Sequence, residues 1–345
     1  VFTAWGLAIE GVTGLLGVPR GKLLRLAQVT VELSRVKVAE LEAATPGNEA
    51  AVAALRACVA SWGAAIPSRI AAIPKKASDK LRLIQDLRRS GVNEQCTVPE
   101  RLVLPRFHDA AADAMALART AASQRRRTRR RWNAWRAPER PPPAADADVG
   151  VEGAVIDIAD AFKLIDVAPK ERRFLAAQVF GAFYLWGVCI FGCASSPLVW
   201  GRMAALLMRL TQGMFDGLEA RLNMYVDDIL FQTCGTPEQR VRALAVLLLW
   251  LAVLGFPVAL PKVAFGEAVD WIGAHFEWTP DGVRVTVPAK RRDEVLGLIQ
   301  KAYTQNKVPR RDLRALAGKL SALAGIVPYL AAFTRSTHKV ANENL

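Results

Sequence analysis

The segment NMYVDDILF, residues 223–231, places two adjacent carboxylates, Asp227 and Asp228, between apolar runs near the middle of a chain of 345 residues. A buried carboxylate costs several kcal/mol unless a cation or a metal ion compensates its charge. The pair stands where one short apolar strand would end and the next would begin. The segment therefore predicts a strand, a tight turn and a second strand, with a divalent cation at the turn.

A third carboxylate follows another strand pattern upstream. In GAVIDIADAF, residues 153–162, a β-branched run ends at Asp157. Three carboxylates gathered at the ends of adjacent strands can hold two divalent ions about 3.5–4 Å apart. Oxygen ligands suit Mg²⁺ or Mn²⁺ rather than zinc. We therefore expect Asp157, Asp227 and Asp228 to form a site for two such ions.

The charge of the chain favours a polyanionic partner. There are 46 Lys and Arg against 32 Asp and Glu, which gives a formal net charge of +14. Nucleic acid is the first candidate and an anionic membrane the second, although a basic surface can also serve solubility alone.

The five cysteines are scattered along the sequence, which favours a reducing compartment. No histidine lies near Cys189 and Cys193, which argues against a zinc site.

The longest apolar run, ALAVLLLWLAVLGFPVAL at residues 243–260, has the length of a marginal membrane-spanning helix. Gly255 and Pro257 interrupt it. The preceding TPEQ offers Thr236 as the N-cap of a capping box, followed by a proline at the first helical position. A helix over residues 237–254, buried on most of its surface, is therefore predicted in preference to a membrane span.

Helical and strand patterns are intermixed along the chain without regular alternation, which favours the α+β class. Helices are predicted over residues 1–65, 110–123 and 197–219 and in two basic amphipathic stretches between 288 and 333. Strands are predicted within 67–109, from 153, as a pair over 172–191, on both sides of the Asp pair over 223–233, and as a pair over 268–288.

The segment RRRTRRRWNAWRAPERPPPAADAD, residues 125–148, combines an arginine run with prolines and cannot build a core. It is predicted to be a loop. Two functions are open for it: a solvated or nuclear-targeting tract, or a nucleic-acid contact in which Trp132 and Trp135 stack on bases.

Several segments, in the same order, resemble the reverse transcriptases of retroviruses and long-terminal-repeat retroelements. YVDD (225–228) with DIADAF (157–162) resembles the palm of these enzymes. The other matching segments are IPKKASDKLRLIQDLRRSGVN (73–93), ERLVLPRFHD (100–109), FGCASSP (191–197), GFPVALPKVAFG (255–266) and WIGAHF (271–276), followed by two helices similar to a thumb.

The resemblance implies an α+β right-hand polymerase that copies RNA, and also DNA, into DNA from a primer. Its partners would be an RNA or DNA template-primer and dNTPs, without a membrane. The implied domains are a helical N-terminal extension (1–66), fingers with a basic insertion at 110–149 (67–150), a palm whose hairpin 172–191 adjoins the fingers (151–280), and thumb and connection helices (281–345).

The resemblance also implies catalytic roles. Asp157, Asp227 and Asp228 would hold the two Mg²⁺ or Mn²⁺ ions, assisted by the backbone carbonyl of Ile158. Lys262 would protonate or neutralise the departing pyrophosphate.

Further residues are implied to contact the substrates. Phe162 would press on the sugar and leave no room for a 2′-hydroxyl, so that dNTPs are selected over rNTPs. The other implied nucleotide contacts are Lys75, Arg82, Asp160, Ala161, Phe191 and Gly192, and the implied primer or template contacts are Tyr225, Trp271, Ile272 and Gly273.

Simpler interpretations exist for each of these residues. The carboxylates could form salt bridges with Arg172 and Arg173. Phe162 and Trp271 could be core residues, and the lysines and Arg82 could be solvated charges. Two other classes of protein are also open: a reverse-transcriptase-like module that binds nucleic acid without catalysis, and a membrane-associated structural protein built on residues 243–260.

Overall fold

The computed structural model describes residues 68–74, 81–96, 98–135, 148–179, 182–305 and 308–342. The expectations for the N-terminal extension and for Lys75 lie outside these residues. Within them, helices are intermixed with sheets that are mainly antiparallel, so the predicted α+β class is confirmed. The chain divides into two compact units, residues 1–103 with 160–205 and residues 104–159 with 206–345.

The elements are numbered in chain order. The strands are β1 (Ser68–Pro74), β2 (Leu81–Gln85), β3 (Gly150–Asp157), β4 (Ala176–Val179), β5 (Ala182–Leu185), β6 (Ala220–Tyr225), β7 (Asp228–Gly235), β8 (Ala264–Gly266), β9 (Ala268–Trp271), β10 (Ala274–Thr279) and β11 (Gly282–Thr286). The α-helices are α1 (Val92–Gln95), α2 (Phe107–Trp135), α3 (Ser196–Gln212), α4 (Pro237–Val253), α5 (Ala289–Thr304), α6 (Arg310–Ala324) and α7 (Ala331–Asn342).

The first unit is built on a four-stranded sheet in the order β2-β1-β4-β5. The two strands predicted over 172–191 are present as β4 and β5, but they are shorter than expected. Residues Pro169–Leu175 form a 3₁₀ helix instead, since a proline at its first position favours a helical start. The Gln85 side chain donates to the Ala176 carbonyl over 2.6 Å, which ties β2 to β4.

The second unit contains a four-stranded sheet in the order β6-β7-β3-β8. Its central strands, β3 and β7, pair antiparallel from Gly150↔Gly235 to Asp157↔Asp228. Strand β7 is buried over residues 229–235 because α2 packs against it with small residues. The core cluster of this unit combines Ala110, Ala114, Leu117, Ala118 and Ala121 of α2 with Leu230, Trp271, Phe276 and Trp278.

Helix α2 continues through the arginine run, so the loop predicted from residue 125 is wrong up to Trp135. Arginine has a high helix propensity, and a charged stretch can stay helical when one of its faces remains in water. Arg125 donates to the Val149 and Pro280 carbonyls over 2.6 and 3.0 Å, which anchors the helix to the strands. The stacking predicted for Trp132 and Trp135 concerns side chains outside the described part.

Helix α4 confirms the predicted start and capping box. The Gln239 N–H donates to the Thr236 hydroxyl, and the Thr236 N–H donates to the Gln239 side chain. The expected burial on most of the helix surface is wrong, because Val241, Leu249 and Val253 are 55%, 67% and 71% exposed. Among the helices in the described part of the chain, none combines the length and apolar character that crossing a bilayer requires.

The C-terminal half departs from the predictions in detail. Helix α3 begins as predicted but ends at Gln212, before the predicted 219. The strand pair predicted over 268–288 is a three-stranded sheet in the order β11-β10-β9, because the chain also folds back at residues 272–273. The two predicted terminal helices are present as α5 and α6, and α7 follows them.

Candidate active site

The Asp pair lies at a two-residue hairpin loop, as predicted. Tyr225 pairs with Asp228 at the end of β6 and β7, with Val226 and Asp227 between them. Val226 has a φ of 58°, which fits the first central position of a type II′ turn. A β-branched residue with positive φ is strained, by about 1–3 kcal/mol. The strain is tolerated because the two flanking strands determine the course of the loop.

The structure brings the three predicted carboxylates together. Asp157 ends β3 directly opposite Asp228, and the Ile158 N–H donates to the Asp227 carbonyl over 3.0 Å. One carboxylate oxygen from each of Asp157, Asp227 and Asp228 lies within 4.8 Å of the other two. Because all three groups are partly buried, water screens their mutual repulsion only in part.

Burial and the repulsion between the carboxylates both affect the pKa of Asp228. The pKa of Asp228 is raised from 3.8 to about 6, first by burial and then by the charges of Asp227 and Asp157, while Lys262 opposes the shift. A divalent cation would remove this penalty, since its charge reverses the local effect on the pKa. The arrangement is therefore suited to hard cations held by oxygen ligands.

The segment before Lys262 is hydrogen-bonded to the end of β3, which places the lysine beside the carboxylates. The Ala259 N–H donates to the Asp157 carbonyl over 2.9 Å, just before the 3₁₀ helix Leu260–Lys262. Lys262 Nζ then donates to Asp157 Oδ2 over 2.5 Å, and this hydrogen bond raises the pKa of the lysine. The side chain is otherwise 68% exposed and can exchange partners.

The alternative pairing with arginines is not supported. The Arg172 guanidinium donates to the Val167 carbonyl over 3.1 Å, and Arg173 lies over the Phe174 ring at 4.6 Å. The cation that the structure pairs with Asp157 is Lys262.

The predicted nucleotide contacts that are described belong to the first unit. Asp160 has a φ of 53° and precedes the 3₁₀ helix Ala161–Leu164. The Phe162 ring is half-buried and packs on Phe191, with ring centroids 5.0 Å apart. This packing is compatible both with a core residue and with a ring that faces a sugar on its free side.

Gly192 is required by a close approach of two backbones. It has a φ of 105°, and a Cβ there would lie 2.0 Å from the Gln85 carbonyl oxygen. The Gln85 N–H in turn donates to the Phe191 carbonyl over 3.1 Å. The structural need for glycine therefore comes from β2, and its predicted contact with a base pair stays a prediction.

The fingers residues are only partly described. Arg82 lies in β2 and pairs with Ile73 of β1 through the backbone, and its side chain is outside the described part. Lys75 also lies outside the described residues.

Trp271 supports the Asp pair from within the core. Its side chain is completely buried, packs edge-on against Phe107 and Phe276, and donates from Nε1 to the Asp228 carbonyl over 3.1 Å. The predicted contact of this side chain with a primer is therefore corrected. A strand pattern alone did not reveal the hydrogen bond, because it joins residues 43 positions apart.

The neighbouring turn remains accessible. Ile272 and Gly273 form the two-residue loop between β9 and β10, with φ values of 44° and 86°. Arg291 of α5, which lies in the first of the two predicted basic stretches, donates to the Gly273 carbonyl over 2.9 Å. Tyr225 is 37% exposed at the end of β6. These residues stay candidates for a primer or template contact.

A small antiparallel sheet with three carboxylates at adjacent strand ends has the arrangement that the resemblance to a polymerase palm predicts, and it could hold a divalent cation. Residues 147–276 match the family model of reverse transcriptase (RNA-dependent DNA polymerase), and this span contains the triad, Lys262 and the 271–273 segment. Residues 147–276 are therefore similar to reverse transcriptase domains, in agreement with the resemblance found in the sequence. Such domains are RNA-directed DNA polymerases, a class of nucleotidyltransferases.

Solved structures that match part of the chain include a foamy viral protease–reverse transcriptase. Its complex with double-stranded DNA is 18% identical and matches with a TM-score of 0.49, over 75% of this chain and 36% of that chain. Its complex with an RNA/DNA hybrid is 16% identical, with a TM-score of 0.49, over 78% of this chain and 30% of that chain. The present chain thus spans about a third of the length of these proteins. No curated protein matches the chain significantly.

Proposed function

We propose that this chain is the polymerase of a retroelement and extends a primer with dNTPs on an RNA or DNA template. Two Mg²⁺ or Mn²⁺ ions would be held by Asp157, Asp227 and Asp228, with the Ile158 carbonyl as a further ligand. The observation that carries the proposal is the convergence of the three carboxylates within 4.8 Å inside a reverse transcriptase domain.

The donor set fits the proposed ions. Partly buried carboxylate oxygens that repel one another form a site whose charge a hard divalent cation would compensate. When bound, such ions lower the pKa of a primer 3′-hydroxyl and stabilise the charge that develops at the phosphorus.

The chain itself supplies orientation. Trp271 and Ile158 donate to the Asp228 and Asp227 carbonyls, so hydrogen bonds hold the backbone of the strained loop from two sides. Catalytic groups act best when packing and hydrogen bonds keep them in one geometry. The two donors would therefore keep both carboxylates directed toward the same point.

Lys262 is proposed as the proton donor or counter-charge for the departing pyrophosphate. Its hydrogen bond to Asp157 raises its pKa, so the ammonium is protonated at neutral pH. The exposed ammonium of Lys262 could leave Asp157 Oδ2 and pair with an anion, while Asp157 would serve as an ion ligand.

The remaining substrate contacts are proposed from the resemblance. Phe162 would exclude the 2′-hydroxyl of an rNTP, and Ile272 and Gly273 would hold the primer end through the turn between β9 and β10. The other proposed contacts are Lys75, Arg82, Asp160, Ala161, Phe191 and Gly192 for the nucleotide, and Tyr225 for the primer or template.

Replacing one carboxylate tests the proposal. Asp227→Asn keeps the shape of the side chain and removes its charge, so primer extension with Mg²⁺ and dNTPs should fall by at least about a thousandfold on an RNA template. The matched control is Asp281→Asn, the same change at an exposed turn between β10 and β11, which should leave extension unchanged.

Circular dichroism and the thermal midpoint must show that both variants are folded. A folded Asp227→Asn protein that extends primers as fast as the wild type would contradict the assignment of Asp227 to the active site. A wild-type protein that binds template-primer but incorporates no nucleotide would favour the non-catalytic binding module instead.

A further inference from the structure

Two cysteines of the first unit are brought together by a single asparagine. Asn93 of α1 donates from its side chain to the Gly192 carbonyl over 2.7 Å and accepts from the Ala194 N–H over 2.9 Å. It thus binds the residues on both sides of Cys193. Cys96 caps the same helix, and its N–H donates to the Asn93 carbonyl over 3.3 Å. One short helix therefore positions Cys96 and holds the loop that carries Cys193.

The interaction between the two thiols shifts their pKa values in opposite directions, which requires the two sulfurs to be neighbours. Both residues are partly exposed, whereas Cys189 and Cys234 are buried. A small oxidant can therefore reach Cys96 and Cys193 more easily than the other two described cysteines. No cysteine belongs to a group of three potential metal ligands in the described part of the chain, so the pair is suited to covalent chemistry rather than to a metal.

The surroundings distinguish the two sulfurs. The hydrogen bond from Cys96, followed by those from Ser195, lowers the pKa of Cys193 to about 5, and the Cys193 sulfur lies 3.1 Å from the Ser195 hydroxyl oxygen. The same thiol–thiol hydrogen bond raises the pKa of Cys96. Burial raises the pKa of Cys189 to about 12, so that group stays a thiol. Cys193 is therefore the nucleophile and Cys96 the partner beside it.

We propose that Cys96 and Cys193 form a reversible disulfide when the protein meets hydrogen peroxide. The Cys193 thiolate attacks one peroxide oxygen and the O–O bond breaks. This step yields a sulfenic acid and one water, whose proton comes from solvent. The Cys96 sulfur then attacks the Cys193 sulfur, and the hydroxyl leaves with the Cys96 proton as a second water. Two thiols are oxidised by two electrons, and the peroxide is reduced to two waters.

The bond would change how the 192–194 loop is held. In the reduced form the loop is attached through the Asn93 side chain and through the Phe191 carbonyl, which accepts from Gln85. A disulfide would add a covalent link of about 2 Å between the sulfurs. The C-terminal end of α1 and the 192–194 loop would then be joined by a covalent bond as well as by hydrogen bonds.

Peptide mass spectrometry of the full chain tests the proposal. The reduced protein is treated with one equivalent of hydrogen peroxide, its free thiols are alkylated, and the digest is searched for linked peptides. We expect a peptide joining Cys96 to Cys193, which dithiothreitol abolishes. Cys234→Ser, a control at a buried thiol, should retain the link, and Cys193→Ser should lose it.

Cys96→Ser gives a second readout that does not depend on the link. Without its partner, Cys193 should stop at the sulfenic acid and be trapped by dimedone, while the wild type is trapped at least about tenfold less because the disulfide forms first. A Cys189–Cys193 link would overturn the proposal. So would over-oxidation of Cys193 in the wild type, or equal trapping in the wild type and Cys96→Ser.

Discussion

Individual residues at the candidate site adopt backbone conformations that their side chains disfavour. Asp160, Val226 and Ile272 are the non-glycine residues with positive φ in the described part of the chain. All three fall in segments that the sequence assigned to substrate or metal. Such conformations persist where the surrounding structure determines them, and they concentrate at functional sites. Two of the three are β-branched, for which this conformation is least expected.

The carboxylate cluster should destabilise the ion-free protein. Because the folded pKa of Asp228 is about 6 and its ordinary value is 3.8, the folded state binds the proton more tightly. Stability is therefore lost as the pH rises from about 4 to 6, where the charged form becomes buried. In EDTA, Asp228→Asn should raise the free energy of unfolding by about 1 kcal/mol above pH 6, after allowing for solvent screening.

The measurement is urea unfolding of both proteins at several pH values. The gain should vanish below about pH 3, where the wild-type carboxyl is largely neutral in both the folded and unfolded states. Magnesium should stabilise the wild type and have little effect on the variant. Equal stability of the two proteins at pH 7 in EDTA would show that the cluster carries no electrostatic penalty.

At the scale of elements, residue 153 of β3 must be glycine because the Trp278 ring packs directly against its Cα. A Cβ at Gly153 would lie 2.0 Å from the buried Trp278 ring. The indole is held in place by its donation to the Gln232 side chain over 3.2 Å, and Gln232 donates to the Ala110 carbonyl of α2. Strand β3, the Trp278 ring and helix α2 are therefore linked. The ring cannot move away from a side chain at residue 153 without breaking these hydrogen bonds.

Two glycine-to-alanine changes should have opposite effects. Gly153→Ala should lower the free energy of unfolding by about 2–3 kcal/mol because it overpacks the core. Gly297→Ala on α5 should raise it by about 0.5–1 kcal/mol, because no atom lies within 4 Å of the new Cβ and alanine favours the helix. Chemical denaturation measures both. A neutral Gly153→Ala would mean that Trp278 can leave its position.

Element prediction succeeded where local chemistry decides and failed where packing decides. The capping box of α4 was predictable because four adjacent residues make it. The length of α2 was not, because Arg125 reaches carbonyls that a sequence pattern does not place near it. The exposure of α4 was not predictable either, since its apolar composition resembles that of a buried helix.

At the scale of the whole molecule, the net charge of +14 should dominate nucleic-acid affinity. Binding to an RNA–DNA duplex releases counterions from the phosphates, so the affinity should fall by at least about a hundredfold between about 50 and 200 mM salt. Fluorescence anisotropy with a labelled duplex measures the slope. A sucrose series of equal osmolality is the control, and an affinity independent of salt would contradict an electrostatic interface.

The sequence by itself predicted the kind of site, since two acidic segments, each at the end of an apolar strand pattern, have residue types suited to divalent cations. It also predicted the resemblance to reverse transcriptases, because the order of short motifs can be read without any knowledge of packing. Only the tertiary structure decided that Trp271 supports Asp228 from the core, that Lys262 pairs with Asp157, and that Cys96 meets Cys193. These pairs join residues far apart in the chain, and the distance between such residues is set by the packing of whole elements rather than by any local pattern.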